Sequence, residues 1–331
     1  MGYVRREYRS ILLLAIFLRK AVQCARLGID VSMCGCIGQD SLGEDYLRQL
    51  EIERVTTTFM TRSVEKSTGV ALINVETTSG ANTIVIVPGA NENVLLRADE
   101  ASHMQMVEHI KQARVIICQN EIPLESTLSA MQIAQSGGTL SIFNPAPASR
   151  SLLDVAVVSD IVCPNESELS TLTSLKTNTE EEIAIAANCL LELGCKVVIV
   201  TLGERGAYLA TKTKKMFIRA EAVAAVDSTG AGDSFIGKET VLYRTSRLVI
   251  ESYAHCWSYY SSCRHISIKY CEGKQSSSSC EKRTTLRHTF GAASRGPKII
   301  CSLSRHLGGV PPPCIFWICF QQKVGLRLCI R

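Results

Sequence analysis

Val115-Ile116-Ile117-Cys118 and Val197-Val198-Ile199-Val200 decide the fold. Each is a short, unbroken apolar run rich in β-branched residues, and each follows a segment of helical character. A strand that is apolar on both faces belongs in a parallel sheet covered on both sides by helices. Outward from these two runs the same alternation continues. A helix is expected at roughly 97–112, before the first run. A second, near 124–136, ends at Gly137-Gly138 and leads into the strand Thr139–Phe143. Asp160–Cys163 reads as a short strand followed by a helix from about Glu166. Glu180–Leu193 reads as a helix stopped by Gly194, leading into the strand Lys196–Thr201. Nearer the start, Val31–Cys36 is a strand closed by Gly38, and Gly43–Leu50 is helical with Ser41 as its cap. The fold class is therefore α/β, doubly wound, with a mostly parallel sheet and helices on both faces. Thr56–Thr61, Gly69–Asn74 and Thr83–Val87 follow one another without helices between them, the last two turned by Gly80-Ala81-Asn82. They are expected to form a small β lid, at about 56–87, standing apart from the main sheet.

Composition sets the limits of this unit. The chain has 331 residues, 46% hydrophobic and 20% charged, enough to bury a large core and too apolar for global disorder. The net charge of +5 conceals a split: residues 241–331 carry 14 Lys+Arg against 3 Asp+Glu, and residues 1–240 carry 22 against 28. An acidic body with a basic appendix is not a nucleic-acid binder throughout its length. Seven of the 15 cysteines fall in the first 240 residues, and Cys118, Cys163 and Cys195 lie in or beside apolar runs, as free thiols do in a reducing compartment. The cytoplasm is expected, with the nucleus also open. The tail cysteines and histidines, among them His255, Cys256, Cys263, His265 and Cys271, have irregular gaps that do not pre-shape a tetrahedral metal site.

Three segments follow from this reading. Residues 1–20 are atypical: Ile11–Leu18 is apolar after Arg5, Arg6 and Arg9, too short to span a bilayer, and plainer as a helix start packed on the core than as a signal sequence. Residues 21–237 carry the α/β pattern. Residues 238–331 contain Ser276–Ser279, Pro311–Pro313 and scattered cysteines without sustained period, and no fold is expected there.

The strongest chemical signal is Asp227-Ser228-Thr229-Gly230-Ala231-Gly232-Asp233-Ser234-Phe235. Its small residues let backbone N–H groups face open space, and the apolar continuation starts a helix, whose N-terminus attracts anions. Two readings of Asp233 stand side by side. It is a plain helix cap, or it is a carboxylate beside a phosphate cradle, taking the proton of a hydroxyl that attacks phosphorus. The chain has no G-x-x-x-x-G-K-[ST] loop and no G-x-G-x-x-G after a strand, so the commoner phosphate motifs are excluded.

Asp227–Phe235 resembles the carboxy-terminal signature of the ribokinase-like carbohydrate kinases. Further segments agree in order and spacing: Val87-Pro88-Gly89-Ala90-Asn91, Gln119-Asn120-Glu121, Asn144-Pro145-Ala146-Pro147-Ala148, Pro164-Asn165-Glu166-Ser167-Glu168 and Thr201-Leu202-Gly203-Glu204-Arg205-Gly206. The resemblance covers about residues 21–237. It implies transfer of the γ-phosphoryl group of ATP to the 5-hydroxyl of D-ribose, with a lid that closes over the reaction; a kinase for another sugar or nucleoside, and a non-catalytic nucleotide-binding remnant, stand as alternatives. It further implies Asp233 as general base, Gly230, Ala231 and Gly232 as the anion hole, and Glu121 beside Asp233 on the sugar. Asn165, Thr201, Leu202, Gly203, Glu204, Arg205, Gly206, Gly232 and Asp233 fall at nucleotide-binding positions. Glu168 falls at a position that holds Mg²⁺ through water, and Asp227 and Thr229 in a K⁺ site. A homodimer joined through the lid, with no membrane or nucleic-acid partner, completes what the resemblance implies. The chain departs from the pattern at Leu14–Arg19, where the family has a Gly-Gly-x-Gly-Ala-Asn motif for sugar hydroxyls, in its missing first strand, and after Gly237.

Overall fold

The computed structural model describes residues 8–13, 16–76, 82–220, 232–233, 235–236 and 314–318, with side chains placed over 20–72, 85–220 and at Gly232, Asp233, Phe235 and Ile236. Its internal contacts divide the chain into Met1–Ser262 with Pro312–Arg331, and Cys263–Pro311. All the described residues belong to the first unit.

The main sheet is built from the runs that the sequence singles out. β6 (Val115–Cys118), β7 (Leu140–Phe143), β8 (Ile161–Val162) and β9 (Val197–Thr201) pair in parallel, with Val115 opposite Leu140, Ile142 opposite Ile161, and Ile161 opposite Val197. Parallel neighbours need crossovers, and helices supply them. α4 (Leu124–Gly137) joins β6 to β7, α5 (Leu153–Val158) joins β7 to β8, and α6 (Glu166–Thr173) with α7 (Glu180–Glu192) joins β8 to β9. On the other side, β2 (Asp30–Gly38) leads through α2 (Ser41–Ile52) to its parallel neighbour β3 (Thr56–Ser63). Beyond β9 the edge is antiparallel, made by β10 (Ala207–Thr211) and β11 (Lys215–Ile218). α1 (Ile16–Arg26) enters β2, and α3 (Met104–Gln112) enters β6.

Four differences from the sequence reading stand out. Thr56–Ser63 is not part of the lid. It pairs in parallel with β2, because α2 packs back on the sheet and delivers it there. The small sheet instead consists of β4 (Val70–Glu76) and β5 (Asn82–Val87) with β1 (Tyr8–Leu13), all antiparallel. Ile11–Leu13 therefore lies in a strand, and the helix starts only at Ile16. Asp40, not Ser41, caps α2 by accepting from the Gly43 N–H at 2.8 Å.

The fourth difference lies in the tail. The sequence reading gives residues 238–331 no regular element, yet β12 (Cys314–Ile318) lies between β2 and β6, parallel to both. Ile315–Ile318 is a continuous apolar run, as a central parallel strand requires, but five residues are too few to show a period. The nine-stranded order is β11-β10-β9-β8-β7-β6-β12-β2-β3. β2 and β3 run outward one way and β6 to β9 the other, so the chain reverses direction across the place that β12 fills. The crevice at the carboxyl ends of strands on either side of such a reversal is where open α/β sheets bind ligands. The core below it contains Met33, Ile37, Tyr46, Leu50, Ile110 and Phe143, all essentially inaccessible. No helix among the described residues is long and apolar enough to cross a membrane.

Candidate active site

Four loops leave the carboxyl ends of β6 to β9, and each carries a segment singled out in the sequence. Gln119-Asn120-Glu121 follows β6, Asn144–Ala148 follows β7, Pro164–Glu168 follows β8, and Leu202–Gly206 follows β9. They are stitched together by hydrogen bonds. Asn120 donates from its backbone to Ala146 O at 3.1 Å and from its side chain to Pro147 O at 2.8 Å, which clamps the first two loops. Thr201 N–H donates to Pro164 O at 2.9 Å, and the side chains of Arg205 and Glu166 form an ion pair, which clamps the last two. Gly206 closes the β9 loop with a φ of 103°, accepting from Leu202 N–H at 2.8 Å. A side chain there would collide with the Ile218 carbonyl, so only glycine fits this turn.

Asn144 is the hub. Its Oδ1 accepts from Gln119 Nε2 at 2.7 Å and from Lys20 Nζ at 2.9 Å, while its Nδ2 donates to Cys163 O at 2.9 Å. One amide thereby ties β6, β7, β8 and α1 into a fixed frame. Lys20 Nζ continues the chain to Asp233 Oδ1 at 3.1 Å. Lys20 is 0% exposed and Asp233 8%. A buried ammonium is stable only when paired, and here a carboxylate and an amide oxygen meet it.

Two further carboxyl groups share this electrostatic environment. Burial pushes Glu121 up to about 8, with Asp233 adding to the rise and Lys20 opposing it. Glu121 Oε2 is buried and has no hydrogen-bond partner among the described residues. Burial also pushes Glu168 up to about 7, against the Asn165 N–H bond and Lys20, which pull it down, while Asp233 pushes it up. Asn165 and Glu168 form a reciprocal cap on α6: Glu168 N–H donates to Asn165 Oδ1 at 2.8 Å, and Asn165 N–H to Glu168 Oε2 at 2.7 Å. Burial and like charges raising carboxyl groups in a crevice mark a site for proton or phosphate chemistry.

Gly232, Asp233, Phe235 and Ile236 are helical, and Phe235 and Ile236 are buried in the core. Gly232 itself is exposed, with nothing within 4 Å of the position where a Cβ would stand. Open space at an exposed glycine next to a buried carboxylate leaves room for a ligand beside Asp233. Gly230, Ala231, Asp227 and Thr229 lie outside the described residues. No group of three or more potential metal ligands occurs among the described residues.

Structure thus brings together Glu121, Glu168, Asn165, Gly232 and Asp233, and sets Thr201–Gly206 alongside them. Sequence reasoning assigns no role to Lys20 and none of their own to Gln119 and Asn144. The signal for Lys20 was its spacing. It lies four residues before Cys24 and next to Ala21, both wholly buried, so it belongs to the inward stripe of α1.

This arrangement is that of a sugar-phosphorylating enzyme. The pfkB family of carbohydrate kinases matches residues 20–238, and the chain belongs to that family. A ribokinase of Mus musculus is 39% identical over 221 residues, which cover 66% of this chain and 67% of that one. A deoxyribokinase of Salmonella typhi is 36% identical over 219 residues, covering 66% and 70%. The solved structure of Arabidopsis thaliana ribokinase complexed with ribose and ATP matches with a TM-score of 0.67 and 25% identity, over 75% of this chain and 80% of that one. The chain is a carbohydrate kinase, a phosphotransferase acting on a sugar.

Proposed function

We propose that this protein transfers the γ-phosphoryl group of ATP to the 5-hydroxyl of D-ribose, giving ribose 5-phosphate. The observation that carries the reading is the buried Asp233 carboxylate beside the open space at Gly232, at the reversal point of the sheet. In this reading Asp233 accepts the proton of the sugar hydroxyl as that oxygen attacks phosphorus. The N–H groups of the Gly230–Gly232 segment stabilise the charge that builds on the transferring oxygens. Glu121, buried and protonated over much of the neutral range, donates a hydrogen bond to a sugar hydroxyl through the carboxyl whose Oε2 lacks a partner. Thr201–Gly206 lines the nucleotide, and Asn165 orders the start of α6 below its phosphates. Mg²⁺, when bound, neutralises the phosphates, and Glu168 is the residue that holds its water shell. A K⁺ ion at Asp227 and Thr229, a homodimer through the β1-β4-β5 sheet, and a cytoplasmic location belong to the same proposal.

The deoxyribokinase relative supports 2-deoxyribose as the second candidate, since the two sugars differ only at one hydroxyl. A coupled assay of ADP release from the full chain separates them. Ribose-dependent release with a kcat/KM at least tenfold above that for 2-deoxyribose supports ribose. The reverse ratio reassigns the sugar, and release with neither pentose removes the reading.

A further inference from the structure

Lys20, buried on α1, stands beside the proposed base and belongs to none of the short motifs singled out in the sequence. Its ammonium is clamped from behind. Cys163 O and Gln119 fix Asn144, Asn144 Oδ1 fixes Nζ at 2.9 Å, and Nζ stands 3.1 Å from Asp233 Oδ1. An ammonium has three donors in a compact head, so a carboxylate held this way is fixed in position as well as in charge. Phe235 and Ile236, on the same stretch as Asp233, are buried in the core, and the Asp233 carboxylate is held from α1 by Lys20.

We propose that Lys20 is a positioning residue for Asp233, a buried ammonium that aims the carboxylate at the open side of Gly232 for proton acceptance. This rests on the kinase reading above, in which Asp233 is the base. Among the described residues, Asp233 from the helical stretch, Glu121 from the loop after β6, Glu168 from α6 and the neutral amide of Asn144 face Lys20. With one ammonium serving three carboxyl groups, its removal leaves like charges facing each other. The ionised forms then become costlier and titrate at higher pH. An arginine preserves the charge, whereas a methionine keeps the length and loses it.

Two measurements on the full chain test this. The first is thermal unfolding of Lys20→Met, Asp233→Asn and the double variant. Removing one member of a buried pair strands the other, so the double variant should recover at least half of the melting-temperature loss of Lys20→Met. If Lys20→Met fails to fold, the double variant should fold. Additive losses, or a double variant that also fails to fold, overturn the pairing. The second is the pH dependence of kcat/KM for the pentose. Lys20→Met should move the acidic limb up by about 1 unit or more, and Lys20→Arg should bring it back toward the parent. Lost activity with an unmoved limb makes Lys20 merely structural and overturns the inference. A parent chain that phosphorylates no pentose defeats the kinase reading instead, and the unfolding cycle then decides alone whether Lys20 holds Asp233.

Discussion

The place between β2 and β6 and the crevice above it make opposite demands on sequence. The first is filled by Cys314–Ile318, drawn from outside the residues 20–238 that match the carbohydrate-kinase family. It pairs in register with Asp30–Cys34 on one side and Val115–Ile117 on the other. A parallel ladder reads backbone N–H and C=O groups and asks only that side chains be apolar, so a foreign run of five residues satisfies it. The crevice reads individual atoms. Asn144 works because one oxygen meets two donors and one nitrogen meets Cys163 O, an arrangement that hydrophobicity alone does not produce. A fold thus tolerates replacement of its parts where a site does not.

The sharpest way to break this contrast is a near-isosteric change in the crevice. Asp233→Asn keeps volume and hydrogen-bonding capacity and removes only the basic oxygen. Turnover should fall by a factor of about 10² to 10⁴, or about 3 to 5 kcal/mol of transition-state stabilisation. ATP affinity, measured by calorimetry, should hardly change. Turnover within a few-fold of the parent makes Asp233 a helix cap and the kinase mechanism wrong.

The complementary change is made in β12. Phe316→Val preserves an apolar β-former and should cost about 1 to 2 kcal/mol for the carbons removed, less than a break in the ladder. Phe316→Pro deletes a ladder donor in the middle of the sheet and should lower unfolding free energy by about 3 kcal/mol in a denaturant titration. Equal effects of valine and proline mean that side-chain packing, not backbone pairing, fills this place. Two harmless substitutions mean that β12 contributes nothing there.

The same contrast explains what the sequence discloses. β6 and β9 are legible because a fully buried parallel strand has a local signature, and the cap at Asn165-Glu168 because its spacing is local too. The positions of Glu121 and Asp233 follow from short motifs. β12 is not legible, since nothing in Cys314–Ile318 names partners nearly 200 and 300 residues earlier in the chain. β10 and β11 escape because Ala207–Thr211 lacks clean alternation. Their pairing shows only in three dimensions, where Tyr208 and Phe217 stack with ring centroids 4.4 Å apart. Thr56–Ser63 looks like lid because its alternation suits either sheet, and only the path of α2 settles which one it joins. Lys20 is hidden by composition: at the end of an apolar run, a lysine reads as a boundary.

pH offers a third probe, smaller because the group concerned is largely neutral near pH 7. Glu121 is raised from 4.5 to about 8, so the folded protein holds its proton more tightly than the unfolded chain does. Its contribution to stability is full below about pH 4.5 and is lost as the pH rises through about 8. Glu121→Gln removes the titration but keeps a neutral polar group. The variant should match the parent below about pH 4 and exceed it by a margin that grows through pH 6 and levels off above about pH 8. A difference that stays constant with pH shows that folding does not raise Glu121, which is then ionised near neutral pH and is not the hydrogen-bond donor proposed above.

Two similar helix caps allow the smallest effect to be divided between fold and site. α6 begins with Asn165 and Glu168, α7 with Thr179 and Glu182, and both make the same reciprocal pair of bonds. Thr179 caps an exposed helix start, where Glu182 N–H donates at 3.2 Å. Asn165 lies in the crevice, between the Thr201 strand end and Glu168. Replacing either by alanine removes one acceptor for an orphan N–H and should cost about 1 kcal/mol of stability. Their effects on catalysis should differ. Thr179→Ala leaves the crevice untouched, and kcat and KM for ATP should stay at parent values once the folded fraction is equal. Asn165→Ala frees the first turn of α6, so the half-buried Glu168 carboxyl loses its fixed place and KM for ATP should rise several-fold. If both variants leave KM unchanged, the Asn165 cap belongs to the fold alone, and the boundary between the tolerant sheet and the exacting crevice lies closer to Asp233.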